Sequence, residues 1–171
     1  LSNSKKILLL ANQNKIKNID TAIAYGNSQN YIGKLYAKKY KVSTKLEKIP
    51  LNLKNLEIWF NENINNSLKF LNIKKIDTLI LHYPKDLLGK NGKSLYKLIQ
   101  SLKNKKIINK FGISLYNINE IYEYSSKYKI DVVQIPFNII DRRILNNNTI
   151  NYLNNKKIEI QFRSIFMQGL L

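Results

Sequence analysis

The chain contains no cysteine among its 171 residues. This absence excludes disulfide bonds, thiolate metal ligands and a cysteine nucleophile, and it fits the reducing cytoplasm, where we expect the protein to be located. Long apolar runs are missing as well. The run from Ile7 to Ala11 near the amino terminus is far too short to span a bilayer or to form the core of a signal peptide. We therefore expect no membrane partner.

Arginine is scarce, although the formal net charge is +18. Only three of the 29 basic residues are arginine, namely Arg142, Arg143 and Arg163. Because arginine is the residue that base and phosphate recognition favours, no specific nucleic-acid partner is expected. The lysines alternate with asparagines and isoleucines, so we interpret the charge mainly as compositional, with a general attraction for anionic ligands. A basic nucleic-acid-binding protein remains an open alternative.

Glycine and proline are also few, at six and three residues, and 44% of the chain is hydrophobic, which is typical of one globular domain over residues 1–171. Apolar patterns predict strands alternating with helices. The predicted strands cover residues 17–21, 41–46, 76–81, 111–115, 132–136 and 158–164. The predicted helices cover residues 4–15, 28–39, 53–71, 94–104, 117–128 and 148–155, with Ser4 as a cap of the first.

Strands that are joined each time through a helix form a parallel sheet with right-handed crossovers. Two architectures of the α/β class fit this order, an open doubly wound sheet and a closed (β/α)8 TIM barrel. A doubly wound dinucleotide fold normally carries a G-x-G-x-x-G turn after its first strand, and the scattered glycines form no such turn. The sequence therefore favours an incomplete barrel with about six to seven βα units.

Polar side chains follow the predicted strands at the end where barrels place their chemistry. Asp20, Lys45 and His82 each end an apolar stretch, and Tyr25 lies just beyond Asp20. A charge at the end of a buried strand needs a partner, so we expect Asp20 to pair with Lys45. A lysine near a phenol favours its ionised form, and a histidine supplies hydrogen bonding. The group is a candidate acid site in which Tyr25 donates a proton to a carbonyl oxygen.

Each of these residues also has a purely structural interpretation. Asp20 could cap the turn that follows it, and Lys45 could extend its side chain to solvent. His82 could be a hydrogen-bonded histidine of the core. Trp59, which is an apparent candidate for substrate contact, lies at helical spacing among apolar residues and is expected in the core. The joint position of the four polar residues at successive strand ends favours the acid site.

The same segments resemble motifs of the aldo-keto reductase family. They occur in the same order as in the family and span nearly the whole chain. The matching motifs are Asp20-Thr21-Ala22-x-x-Tyr25-Gly26, Ser43-Thr44-Lys45, Leu81-His82-x-Pro84, Phe111-Gly112-Ile113-Ser114, Gln134-x-Pro136-Phe137-Asn138 and Arg163-Ser164-x-Phe166-x-Gln168-Gly169-Leu170-Leu171. The resemblance implies a (β/α)8 barrel that reduces a small-molecule carbonyl with NADPH, or possibly NADH, and without a metal. It implies that Tyr25 is the general acid, that Lys45 and Asp20 support it, and that His82 orients the substrate carbonyl.

The resemblance also implies a cofactor site. Asp20, Ser114, Gln134, Arg163 and Ser164 match cofactor-binding positions, and Ser114 and Gln134 match those that hold the nicotinamide carboxamide. At the position of Arg163, many members have an aromatic residue that stacks on the nicotinamide. Arginine at this position is similar to a bacterial branch of the family. Many members also have asparagine at position 115, where this chain has leucine.

The family barrel needs eight strands and about 250 residues, so we expect this chain to be a fragment that lacks the first and last strands. A genuinely shortened product with unpaired barrel edges is the alternative. A non-catalytic, nucleotide-sensing interaction module of the same fold is the alternative to an enzyme.

Overall fold

The computed structural model describes residues 2–35, 37–117, 119–145 and 148–170. Its centre is a six-stranded parallel sheet in the order β1-β2-β3-β4-β5-β6. The strands are β1 (Asn18–Asp20), β2 (Lys41–Leu46), β3 (Ile76–Leu81), β4 (Ile108–Ser114), β5 (Val132–Pro136) and β6 (Glu159–Arg163). The α-helices are α1 (Ser2–Gln13), α2 (Ser28–Leu35), α3 (Leu56–Leu71), α4 (Gly92–Asn104), α5 (Glu120–Lys127) and α6 (Thr149–Asn155).

This regular alternation confirms the predicted incomplete α/β barrel, while several element bounds differ from the prediction. Ser4 lies inside α1 and does not cap it, because that helix already includes Ser2. Helix α3 begins at Leu56, three residues later than predicted, because the side chain of Asn55 caps it by accepting a hydrogen bond from the Ile58 N–H. Helix α2 ends at Leu35, and a short 3-10 helix (Ala37–Lys39) follows.

The sheet curls, and one hydrogen bond shows it directly. Gln134 on β5 donates from Nε2 to Oδ1 of Asp20 on β1 over 3.1 Å, although three strands separate them in the sheet. A flat sheet keeps such strands about 19 Å apart, at about 4.8 Å per strand. The side chains meet because the strands wrap around a common interior, as in a barrel.

The main core lies between the sheet and its covering helices. Strands β2 to β5 are buried along almost their whole length, as expected for parallel strands covered on both faces. Trp59 packs against this core, as predicted. Gly33 lets α2 approach α3 closely, because a Cβ there would lie 2.0 Å from the carbonyl oxygen of Phe70. None of the helices in the described part of the chain is long and apolar enough to cross a bilayer.

Four of the helix-to-strand turns share one geometry that the sequence did not reveal. In each, a non-glycine residue adopts a left-handed conformation with φ between 52° and 61°, namely Lys15, Asn72, Lys106 and Lys157. The isoleucine that follows donates its N–H to the carbonyl five residues back, as in Ile107 to Leu102 and Ile158 to Leu153. These are Schellman caps. They return the chain sharply from helix to strand and keep this end of the barrel free of long loops.

Candidate active site

An open cleft of about 490 Å³ lies at the carboxyl ends of the strands. All eight residues that the sequence predicted for the site line it, namely Asp20, Tyr25, Lys45, His82, Ser114, Gln134, Arg163 and Ser164. Six different strand ends or the loops that follow them contribute these residues. The parallel topology explains this convergence, because every strand of the sheet ends at the same edge.

Lys45 is the most buried charged group of the cleft. Its side chain is 1% exposed, and its ammonium donates to the Asp20 carboxylate and to the carbonyl oxygen of Thr21, at 3.2 Å. A buried ammonium without partners is strongly unfavourable. Asp20 is 41% exposed, so the pair places a neutralised cation at the floor of the cleft and a carboxylate at its wall.

Tyr25 lies above this ion pair, in the turn that follows β1. The turn is closed by the Tyr25 N–H, which donates to the carbonyl of Ala22, and Gly26 follows with φ 55°. The Lys45 Nζ lies 5.0 Å from the centroid of the Tyr25 ring, which is within the range of a cation–π contact. Among the described residues, no hydrogen bond joins the Tyr25 hydroxyl to Lys45 or His82. The ring is 48% exposed and faces the open cleft.

His82 follows β3 and is half-buried beside Tyr25. Its backbone N–H continues the sheet by donating to the carbonyl of Leu46 over 3.0 Å. Burial lowers the pKa of His82 below the ordinary histidine value, and the positive charges of Lys45 and Arg163 lower it further, while Asp20 and Glu47 oppose the shift. The imidazole is therefore neutral at pH 7, with one nitrogen that donates and one that accepts.

The other predicted cofactor residues come from β4, β5, β6 and the turn after β6, and they line the same cleft as Tyr25. Ser114 and Gln134 are both buried, and Gln134 uses its amide nitrogen to bond Asp20, while its Oε1 is buried and has no partner. The guanidinium of Arg163 lies 4.0 Å from the ring centroid of Tyr116, and its Nε is likewise buried without a partner. Ser164 adopts φ 59° in the turn beyond Arg163.

These orphaned atoms provide a test of whether the residues fit a nicotinamide cofactor. A buried carbonyl oxygen without a donor is unfavourable by about 1–3 kcal/mol unless a ligand satisfies it. The free Oε1 of Gln134 and the hydroxyl of Ser114 are the groups that a carboxamide requires, since a carboxamide both donates and accepts hydrogen bonds. Ser114 and Gln134 therefore fit the carboxamide of a nicotinamide cofactor. Among the described residues, no three carboxylate or imidazole side chains come together to hold a metal ion.

Several cleft and support residues were not found from the sequence. Tyr116 and Phe166 line the cleft and are strongly exposed. Nothing in the sequence distinguished Tyr116, and Phe166 appeared only in the family motif, without a predicted role in the site. Gln29 is buried under β2 and donates from Nε2 to Thr44 Oγ1 at 2.7 Å and to Ser67 Oγ at 3.1 Å. Because Thr44 precedes Lys45 directly, this network fixes the strand that carries the buried ammonium.

The half-barrel and its strand-end site define a class of α/β-barrel proteins, and the sequence comparison names it. The sequence model of the Aldo/keto reductase family matches residues 2–171. The chain belongs to this family. No curated protein sequence matches the chain.

Solved structures show the same fold. Aldo-keto reductase AKR11C1 from Bacillus halodurans, in its holo form, is 21% identical with a TM-score of 0.82, over 99% of this chain and 59% of that one. The glycerol dehydrogenase AKR11B4 from Gluconobacter oxydans is 23% identical with a TM-score of 0.79, over 99% of this chain and 55% of that one. An aldo/keto reductase from Klebsiella pneumoniae in complex with NADP and acetate is 15% identical with a TM-score of 0.73, over 90% and 54% of the two chains. The chain thus spans little more than half the length of these proteins.

Proposed function

We propose that this chain carries the acid site of an enzyme that reduces an aldehyde or ketone to an alcohol, or catalyses the reverse oxidation, with NADPH or NADH. The observation that carries the proposal is the ion pair between the buried Lys45 and Asp20, placed directly below the exposed ring of Tyr25. A lysine that only reaches solvent would not be buried beside a carboxylate under a tyrosine ring. A proton donor that must become an anion needs a fixed positive charge beside it.

Each residue has one role in the proposed reaction. His82, being neutral, donates a hydrogen bond to the substrate carbonyl and orients it toward Tyr25. The Tyr25 hydroxyl transfers its proton to that oxygen as negative charge develops there. The Lys45 ammonium stabilises the tyrosinate that remains, and Asp20 holds the ammonium in place. A bound nicotinamide cofactor supplies the hydride to the carbonyl carbon.

Cofactor binding is assigned to the same cleft. Ser114 and the free Oε1 of Gln134 are proposed to bind the carboxamide, and Asp20, Arg163 and Ser164 complete the site beside the nicotinamide ring. The planar guanidinium of Arg163 is suited to stack on an aromatic ring. NADP in the related Klebsiella pneumoniae structure supports NADPH as the cofactor. The substrate is proposed to be a small carbonyl compound, and the location the cytoplasm.

The test is the Tyr25→Phe variant of the protein that carries this chain. Removal of the hydroxyl is expected to lower kcat by about 10²–10⁴-fold, the usual contribution of a general acid. NADPH binding, followed by the change in its fluorescence, is expected to stay unchanged. Unchanged turnover in the variant would contradict the acid role. Saturable NADPH binding without turnover of any carbonyl by the unmodified protein would instead support a non-catalytic nucleotide-sensing module.

A further inference from the structure

The end of the barrel opposite the cleft carries an unusual concentration of lysine. In a parallel sheet, every helix-to-strand connection lies at the amino-terminal ends of the strands. We call these six connections together the basic turn face. It consists of residues 14–17, 37–40, 72–75, 105–107, 128–131 and 156–158. Five of the six connections contain two lysines and no acidic residue, and the one between α5 and β5 contains Lys129 and Asp131. Together their 22 residues hold 11 of the 26 lysines of the chain.

This distribution is not explained by composition alone. A bias toward lysine codons spreads lysine along the whole chain, whereas the 149 residues outside the turn face hold only the other 15 lysines. The arginines lie at the opposite end, with Arg142 and Arg143 in the loop after β5 and Arg163 at the end of β6. All three arginines therefore lie at the cleft end, whereas lysine occurs at both ends and is concentrated in the turn face.

Helix dipoles explain only part of the concentration of lysine in the turn face. Six helix carboxyl termini point to this face, and each is equivalent to roughly half a negative charge, which favours a cation nearby. One lysine in each turn more than offsets this partial charge, and further lysines in the same turn repel the first. The excess of like charges is unfavourable in the isolated molecule. An anionic partner would relieve this repulsion.

The acidic residues on or beside the face offset only a small part of its charge. Asp131 binds Lys103 and Glu159 binds Lys110, so each of these carboxylates is already paired within the molecule. Asp77 accepts hydrogen bonds from the side chains of Asn109 and Thr78. The lysines of the turn face are all exposed. The surface is therefore strongly positive and accessible.

We propose that the basic turn face binds the surface of an anionic lipid bilayer. The Schellman caps keep its turns short, and the cavity of about 290 Å³ between residues 125–130 and 156–158 is too small to follow a nucleic-acid strand of several nucleotides. Its two tyrosines are unavailable for stacking on bases, because Tyr40 is buried and the Tyr128 hydroxyl donates inward to the carbonyl of Leu87. Lysine, a hydrated point charge, suits mobile lipid headgroups, whereas bidentate phosphate recognition favours arginine.

Two further features agree with this partner. Ile16 is 54% exposed between Lys15 and Lys17, where it is available to enter the headgroup region. Docking through the turn face also directs the cleft, at the other end of the strands, away from the bilayer and toward its substrates. The proposal departs from the expectation of no membrane partner, which depended on the short apolar runs. Peripheral binding to a bilayer surface does not require a long apolar run.

The test is co-sedimentation of the protein with vesicles at physiological ionic strength. The vesicles are phosphatidylcholine alone, or phosphatidylcholine mixed with phosphatidylglycerol. A turn-face variant replaces four exposed lysines by glutamine: Lys74→Gln, Lys75→Gln, Lys105→Gln and Lys129→Gln. A lysine near an anionic surface strengthens binding about fivefold. Because not all four contact the bilayer equally, we expect the variant to bind the mixed vesicles about a hundredfold more weakly.

The matched control removes the same charge from the cleft end, with Lys54→Gln, Lys85→Gln, Lys90→Gln and Lys93→Gln. It is expected to bind the mixed vesicles within about threefold of the unmodified protein, since these lysines face away from the bilayer. Equal losses in the two variants would show that only net charge matters and would overturn the proposal. So would no binding to mixed vesicles, or tighter binding of a DNA duplex than of vesicles at the same salt. Thermal unfolding of both variants verifies that the fold is intact.

Discussion

The imidazole of His82 meets the ring of Tyr25 edge to face, with the ring centroids 6.0 Å apart and the planes at 83°. This contact holds the two proposed substrate-facing groups in one fixed orientation at the mouth of the cleft. It also helps to bury the imidazole, and burial is the main reason that the pKa of His82 is lowered. The electrostatics of the acid site thus depend on the packing of its two rings.

The lowered pKa of His82 predicts a pH dependence of stability. Below about pH 6.5, the ordinary value, histidine binds a proton in the unfolded chain before it does so in the native protein. The unfolded state then binds more protons, so the free energy of unfolding is highest above this value and falls as the pH is lowered through the shifted pKa. Urea unfolding between pH 5 and 7 measures this slope.

The control for this dependence is the His82→Asn variant. The chain has one histidine, so the dependence of the unfolding free energy on pH in this range should largely disappear in the variant. The unfolding free energy at pH 7 should differ less between the variant and the unmodified protein than the value at pH 5. A slope that survives the substitution would assign the dependence to another group.

The burial difference between Lys45 and Asp20 predicts an asymmetry in stability. Asp20→Asn leaves a nearly fully buried ammonium without its counter-charge, which is expected to destabilise the protein by about 3 kcal/mol. Lys45→Met removes the charge and keeps the volume, and the partly exposed Asp20 remains solvated. Its expected loss is below about 1.5 kcal/mol. Urea unfolding of both variants measures the difference, and equal losses would contradict it.

Both substitutions are expected to reduce turnover, since both remove the fixed pair that supports Tyr25. The stability of the two variants should differ, while their activity should fall together. Activity that is lost only in proportion to the unfolded fraction would show that the pair has a structural role alone.

The strand ends were predictable from the sequence, because parallel topology alone brings them to one edge. An apolar stretch that ends in Asp20, Lys45 or His82 locates both the strand and the side chain at its end. Pairing of Asp20 with Lys45 followed from the unfavourable burial of a lone charge, and the structure shows that pair. The catalytic roles of these residues remain predictions.

What the sequence did not reveal depends on packing between distant segments. The buried network of Gln29 with Thr44 and Ser67 exists only because Gly33 allows α2 to approach α3. The first residues of β4 were missed because polar residues occupy the amino-terminal end of that strand, where Lys110 binds Glu159. Local periodicity contains no information about either contact.

The left-handed turns predict a stabilising substitution. Lys106 has φ 57°, a conformation that is strained for a residue with a Cβ and freely available to glycine. Lys106→Gly is therefore expected to raise the free energy of unfolding by about 0.5–1 kcal/mol. Lys105, with φ −73°, is the matched control, because Lys105→Gly removes the same charge from a helical conformation and should destabilise by a similar amount. Thermal unfolding of both variants shows whether each substitution raises or lowers the stability of the protein.

The unpartnered Oε1 of Gln134 predicts a defect in cofactor binding that is separable from folding. Gln134→Met removes this acceptor and the donor to Asp20 while keeping a similar volume, so we expect the Kd for NADPH to rise about tenfold, the usual effect of one or two hydrogen bonds. The unfolding free energy should change by less than about 1.5 kcal/mol, because one of the two polar atoms is already unsatisfied. Gln100→Met in helix α4, outside the cleft, is the control, because Gln100 also has an unpartnered buried polar atom, and it should leave the Kd unchanged. NADPH fluorescence titration measures both constants, and an unchanged Kd for the Gln134 variant would remove this residue from the proposed cofactor site.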